Sequence, residues 1–226
     1  MPSRRHLEAV ALRARIERGD PYWPAQLTVA LVIALNLVLP ERVTIGPKWL
    51  VPAVAGGLLL GLVIIAPARA AKHVGGVRRF ALSIIGLVSA ASLASLGLLV
   101  HYLINGGTAG GHQLIYSGVA LWGTNVLLFA VWYWELDRGG PATRFLHPDT
   151  LPDFQFPQME NPQFSPPGWR PGFIDYLYLS LTNATAFSPT DTMPLTQTAK
   201  AVMALQSIGA LLTVGLVVAR AVNILG

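Results

Sequence analysis

Polar side chains that could act on ions are concentrated near the C-terminal end of the chain, between two apolar stretches. They are Asn183, Thr185, Ser188, Thr190 and Asp191, interrupted by Pro189. If several copies assembled around an axis, these oxygens would form rings along a pathway, and a ring of carboxylates would attract cations. Asp191 is therefore the strongest candidate. The alternative is that these groups cap a short helix and hydrogen-bond to Gln206 and Ser207 on the following helix.

Charged and imidazole side chains offer fewer candidates. Glu135 and Asp137 follow the aromatic sequence Trp-Tyr-Trp, and they either hold the next loop through Arg138, Arg144 or Lys200 or are simple interfacial charges. His101 and His112 could approach each other, but a metal site needs at least a third ligand. The sequence contains no His-Glu-x-x-His or Gly-x-Ser-x-Gly motif and no cysteine, so we expect neither an enzyme nor a bound cofactor.

The elements that must position these residues are long apolar helices. Hydrophobic residues make up 53% of the 226 residues and charged residues only 12%, about half the usual charged share. Apolar runs lie at residues 24–39, 49–66, 80–104, 114–134 and 198–225, and a shorter, partly polar run lies at 173–187. This pattern predicts an all-α polytopic transmembrane bundle of five long helices plus one short segment resembling a pore helix.

Four regions follow from this pattern. We expect a basic cytoplasmic segment at 1–22, a four-helix transmembrane region at 23–138, a loop rich in proline and aromatic residues at 139–172, and a module of short helix, polar segment and last helix at 173–226. Eight prolines make regular structure in the loop unlikely on steric grounds, and its aromatic residues predict that it folds over one mouth of the bundle.

The basic residues indicate orientation rather than nucleic-acid binding, although the formal net charge is +5. Nine lysines and arginines lie in the N-terminal segment and at 69–79, against two at 40–48. Such a bias places the N-terminus in the cytoplasm of a protein of the cell membrane. The partner we expect first is therefore the lipid bilayer.

The module at 173–226 resembles the pore-loop module of potassium channels. The usual run Y-F-S-L-V-T-L-T-T-V-G-Y-G-D-I-V-P-V-T lies without gaps on residues 178–196, which read Y-L-S-L-T-N-A-T-A-F-S-P-T-D-T-M-P-L-T. The following helix looks like an inner helix, with Gly209 as a possible hinge. The filter T-V-G-Y-G is replaced by residues 186–190, A-F-S-P-T. The resemblance thus implies a homo-oligomeric channel-like protein, weakly selective for monovalent cations, without a potassium filter.

The whole chain also resembles a family of uncharacterised bacterial polytopic membrane proteins, a domain of unknown function. The shared motifs are W-Y-W-E-L-D-x-G-G-P, here residues 132–141, and D-Y-L-Y-L-S-x-T-N-A-T-A-F-S-P-T-D, here residues 175–191. This resemblance implies no activity. A non-conducting structural or accessory membrane protein is accordingly the alternative function.

The sequence leaves two paths for the segment at 173–187. A pore loop enters from outside, whereas the cytoplasmic N-terminus returns the 139–172 loop to the cytoplasm after four spans. The segment either crosses as a thin sixth span or re-enters from the cytoplasmic side. We favour the six-crossing arrangement from the sequence.

Overall fold

The computed structural model describes residues 20–21, 23–40, 47, 49–65, 74–104, 111–185 and 192–225. In this part of the chain the first four helices are α1 (Trp23–Val38), α2 (Leu50–Ile65), α3 (Val74–Ile104) and α4 (Gly111–Leu136). A 3-10 turn (Asp137–Gly139), α5 (Pro141–Leu146), β1 (Phe154–Gln155), α6 (Pro157–Glu160) and a second 3-10 turn (Pro162–Phe164) follow. The chain then forms α7 (Phe173–Thr185), β2 (Met193–Pro194) and α8 (Gln197–Leu225). The prediction of an all-α fold is confirmed, with one two-residue strand pair added.

Within the described ranges, three helices are long and apolar enough to cross a membrane. They cover Leu82–Tyr102, Gln113–Leu146 (α4 continued through the 3-10 turn into α5) and Gln197–Ala219. The described parts of α1 and α2 are equally apolar but have 16 residues each. The three long helices make the chain compatible with a membrane protein.

Helix α4 forms the centre of the bundle. Its C-terminal half packs against α1, α7 and α8 in a core that includes Tyr133, Trp134 and Tyr176, all fully buried. Near its N-terminal end, Leu114 and Leu121 lie in a second cluster with Leu39 at the end of α1. Because the start of α1 meets the end of α4 and the end of α1 meets the start of α4, the two helices are antiparallel.

Helix α7 begins at the end of the bundle where β2 also lies. Helix α7 runs antiparallel to α4, since Phe173 packs edge-on against Trp134 at 5.7 Å and Ala184 clusters with Val126. β2 then pairs with β1 (Phe154 opposite Pro194), which brings the chain back beside the start of α7. The start of α7 and the strand that follows it therefore lie at one end of the bundle.

The length of α7 and the direction of α8 fit this arrangement. Thirteen residues of α7 extend about 20 Å at 1.5 Å per residue, which leaves the helix inside the bundle. Helix α8 then runs antiparallel to α4 as well, since Gly209 lies beside Asn125 and Gly118 beside Val217. Helices α7 and α8 consequently enter the bundle from one end and run side by side.

The proline-rich loop is more regular than predicted. Prolines occupy the first turns of α5 and α6 and of the second 3-10 turn, where a missing N–H costs nothing. Phe154 and Phe156 are buried and pack edge-on against Tyr176. The loop thus covers one end of the bundle, as the aromatic residues predict, but with short helices rather than irregular chain.

Candidate functional site

A buried hydrogen-bond network joins α7 and α8 to α4. The Gln206 carboxamide is fully buried. Its Nε2 donates to the Ser180 carbonyl at 2.8 Å and to the Ser180 hydroxyl at 2.7 Å. Its Oε1 accepts from the Tyr133 hydroxyl and from Asn183 Nδ2, the latter at 2.8 Å. One side chain thereby connects three helices.

The Asn183 side chain lies within the same network. Its Nδ2 also donates to the Met203 carbonyl at 3.0 Å and to the Tyr133 hydroxyl at 3.2 Å, while its Oδ1 accepts from Ser207 at 3.1 Å. Asn183 therefore bonds to Gln206 and Ser207, as one of the two sequence interpretations supposed. These three side chains face other helices of the same subunit.

The other residues predicted to line a pathway or form the inner helix lie on α7, on α8 or outside the described residues. The Thr185 hydroxyl donates to the Thr182 carbonyl of its own helix at 3.0 Å. Ser188, Pro189, Thr190 and Asp191 lie outside the described residues. Gly209 packs close to α4, because a Cβ there would lie 3.0 Å from Asn125 Nδ2. A larger residue at position 209 would press against α4, so close helix packing explains the glycine.

A second polar cluster lies where α4 ends. The Asp137 carboxylate is fully buried. Its Oδ2 accepts from the Tyr176 hydroxyl at 2.6 Å and its Oδ1 from the Asp153 backbone N–H at 2.8 Å. Asp153 in turn accepts from the Arg138 N–H at 2.9 Å and from the Thr196 hydroxyl at 2.7 Å. These bonds fix the end of α4, the proline-rich loop, α7 and the start of α8 to one another.

A buried ion pair continues this cluster toward the N-terminal segment. Arg144 Nη2 contacts Asp20 Oδ2 at 2.8 Å, and the Trp134 indole donates to the same carboxylate at 2.9 Å. Arg144 Nη1 donates to the backbone carbonyls of Trp134 and Asp137 at 2.6 and 3.0 Å. Burial raises the pKa of the Asp20 carboxyl, although the charge of Arg144 and the hydrogen bonds from Arg144 and Trp134 act in the opposite direction.

The chain turns sharply between α4 and α5. Arg138, Gly139 and Gly140 have φ values of 52°, 81° and 94°, a region that only glycine adopts freely. At Gly140 a Cβ would also lie 3.1 Å from Glu135 Oε2. Both features account for the two glycines at positions 139 and 140.

The two sequence interpretations of Glu135 and Asp137 can now be compared. Asp137 Oδ2 lies 4.0 Å from Arg138 Nε, and the Asp137 carboxylate binds the loop through Asp153. The Glu135 side chain is 1% exposed, and its backbone carbonyl accepts from Arg78 at 3.3 Å. Lys200 is exposed. The interpretation in which Asp137 holds the loop is therefore the one that the geometry supports.

A pocket of about 490 Å³ opens beside this cluster. Its polar walls are Asp20, Arg138, Arg144 and Arg170, and its apolar walls include Pro141, Phe145 and Pro171. Sequence reasoning named Arg138 and Arg144 but missed Asp20 and Arg170. No local signal joins Asp20 to Arg144, because 124 residues separate them.

The histidines do not form a centre in the described part of the chain. His101 is exposed on α3, and the side chain of His112 lies outside what the structure describes. Among the described residues, no group of three or more His, Cys, Asp or Glu side chains is placed to hold a metal ion.

Comparison with known proteins adds no assignment: no protein-family model, no curated protein and no solved structure matches this chain.

Proposed function

We propose that this chain is a polytopic protein of the cell membrane with five crossings, namely α1 to α4 and α8, and with α7 as a re-entrant half-helix. Large apolar side chains support this proposal. On α8 they are 46–68% exposed at Leu205, Ile208 and Leu211, as expected for a surface that faces lipid or another subunit. Nine lysines and arginines in residues 1–22 and 69–79, against two at 40–48, favour a cytoplasmic N-terminus.

We further propose that the protein is a non-conducting structural or accessory membrane protein. The observation that carries this proposal is the orientation of Asn183, Gln206 and Ser207. A water-filled path would need these polar groups free to face a lumen, whereas their hydrogen bonds lie between α4, α7 and α8 of one subunit. In this role the re-entrant segment stabilises a fixed arrangement of helices and does not carry ions.

A cation pathway is the second candidate, and the re-entrant segment favours it. The sequence between α7 and β2 contains Asp191, and a ring of carboxylates attracts cations. Several copies of this segment around an axis would place a ring of carboxylates there, so this candidate requires a homo-oligomer and predicts monovalent cations as permeant species.

Topology is tested by cysteine labelling, because the natural chain contains no cysteine. Leu151→Cys and Met193→Cys, both at exposed side chains, should react with an impermeant maleimide from the cytoplasmic side, and Pro47→Cys from the opposite side. Labelling of Leu151 and Met193 from opposite sides would contradict the re-entrant arrangement.

Conduction is tested separately in proteoliposomes. The accessory role predicts no monovalent-cation flux above that of protein-free vesicles, from the wild type or from Asp191→Ala. A flux that requires the wild-type protein and falls at least tenfold in Asp191→Ala would refute the accessory role and establish the pathway.

A further inference from the structure

The pocket beside the end of α4 has the composition of a phosphate site. Three arginines and one aspartate form its polar walls. Arginine presents a planar fork of N–H donors that matches phosphate oxygens. The aspartate, Asp20, is already bound by Arg144 at 2.8 Å and by the Trp134 indole at 2.9 Å. The groups left to receive a ligand in this pocket are therefore cationic.

Arg138 is the arginine of this pocket whose hydrogen bonding is least complete among the described residues. Its side chain is 14% exposed, and its buried Nε has no hydrogen-bond partner among the residues that the structure describes. Its nearest carboxylate oxygen, Asp137 Oδ2, lies 4.0 Å away and already accepts from Tyr176 at 2.6 Å. Its Nη2 donates to a weak acceptor, the Met159 sulfur, at 3.6 Å. A buried, charged donor without a partner calls for an anion or a water molecule.

Arg170 supplies a second cation at the rim. Its guanidinium lies 5.8 Å from the centre of the Phe145 ring, a contact that holds the side chain in place without using its N–H donors. Arg144 differs from both, since its donors are occupied by Asp20 and by the carbonyls of Trp134 and Asp137. Arg138 and Arg170 are thus the residues to which we assign the ligand.

We propose that this pocket binds a phosphate group, carried by a lipid headgroup or present as free phosphate. The lipid source rests on the proposed membrane location, in which the pocket lies at the cytoplasmic interface. Basic pockets there bind anionic headgroups. The apolar walls formed by Pro141, Phe145 and Pro171 suit the glycerol part of a lipid better than bare phosphate.

The test compares lipids on the purified full chain in a neutral detergent. Binding of phosphatidylglycerol, phosphatidylcholine and inorganic phosphate is measured by native mass spectrometry and by the shift in melting temperature. We expect phosphatidylglycerol to bind the wild type and the double variant Arg138→Gln/Arg170→Gln to bind it at least tenfold more weakly. The matched control is Arg79→Gln, which removes one charge from an exposed site on α3 outside the pocket.

The outcomes separate the possibilities. Stronger binding of phosphatidylglycerol than of inorganic phosphate supports the lipid source, and equal site-dependent binding of inorganic phosphate supports the free anion. An equal loss in Arg79→Gln and in the double variant would indicate general surface attraction and overturn the proposal, as would no binding by a folded wild type. The cysteine labels test the membrane topology independently, so either proposal can fail alone.

Discussion

Replacing Gln206 by leucine removes a fully buried carboxamide that joins α8 to α4 and α7. The substitution deletes two bonds donated to Ser180 and two accepted from Tyr133 and Asn183. Hydrogen bonds between membrane helices contribute about 0.6 to 2 kcal/mol each. A buried donor left without an acceptor costs about 1–3 kcal/mol, and the Tyr133 hydroxyl becomes such a donor. We expect a net loss of about 2–4 kcal/mol, because Asn183 keeps its other partners.

The assay is reversible unfolding in mixed micelles, followed by circular dichroism. Ser207→Ala is the control, because its hydroxyl is only half-buried and makes bonds of 3.1 and 3.4 Å to the same asparagine. We expect it to lose about 0.5–1 kcal/mol. The physical cause is tested by adding Tyr133→Phe to Gln206→Leu. The second substitution removes the hydroxyl donor that has lost its acceptor, so it should restore about 1 kcal/mol of unfolding free energy.

The result that would refute this reasoning is a Gln206→Leu protein as stable as the wild type. Side chains that line a water-filled path lose little when replaced by leucine, because water had satisfied them. A stable variant would therefore return Gln206 and Asn183 to the group of pathway candidates. If the losses in unfolding free energy from Gln206→Leu and Tyr133→Phe simply add in the double variant, the pairing of Gln206 with Tyr133 is contradicted.

The other predictions concern packing and a buried charge. Gly118→Ala should destabilise the protein by about 1–3 kcal/mol, because its Cβ would overlap Val217 on α8; Gly97→Ala, with nothing within 4 Å, should be tolerated in the same melting assay. For Asp20, the raised pKa in the folded state means that protonation favours folding. The stability of the wild type relative to Asp20→Asn should therefore rise as pH falls through the raised pKa toward 3.8, and a difference that falls or stays constant would contradict the assignment.

Local pattern was sufficient for the helices. The apolar runs at 80–104 and 114–134 correspond to α3 and α4 at Val74–Ile104 and Gly111–Leu136. Their limits were approximate, because helices continue into polar residues where hydrogen bonding allows. The prolines of the 139–172 loop misled prediction, since proline forbids the middle of a helix but favours its first turn.

The position of α7 relative to β2 could not be predicted in the same way. Length and polarity of residues 173–187 fit a thin span and a half-helix equally well. The position of β2 beside the start of α7 depends on the pairing of Met193–Pro194 with Phe154–Gln155 and on the bond from Thr196 to Asp153. These contacts join residues about forty positions apart, and no local periodicity encodes them.

The sequence by itself determined an all-helical chain with membrane-length apolar helices and a short polar segment before the last of them, because helix formation and hydrophobic burial follow from neighbouring side chains. The tertiary structure decided that the start of α7 and β2 lie at one end of the bundle, that Asn183 faces Gln206, and that Asp20 meets Arg144. Those outcomes depend on which buried polar groups satisfy one another across the bundle, and hydrogen bonds at such sequence separations exist only once the helices have packed.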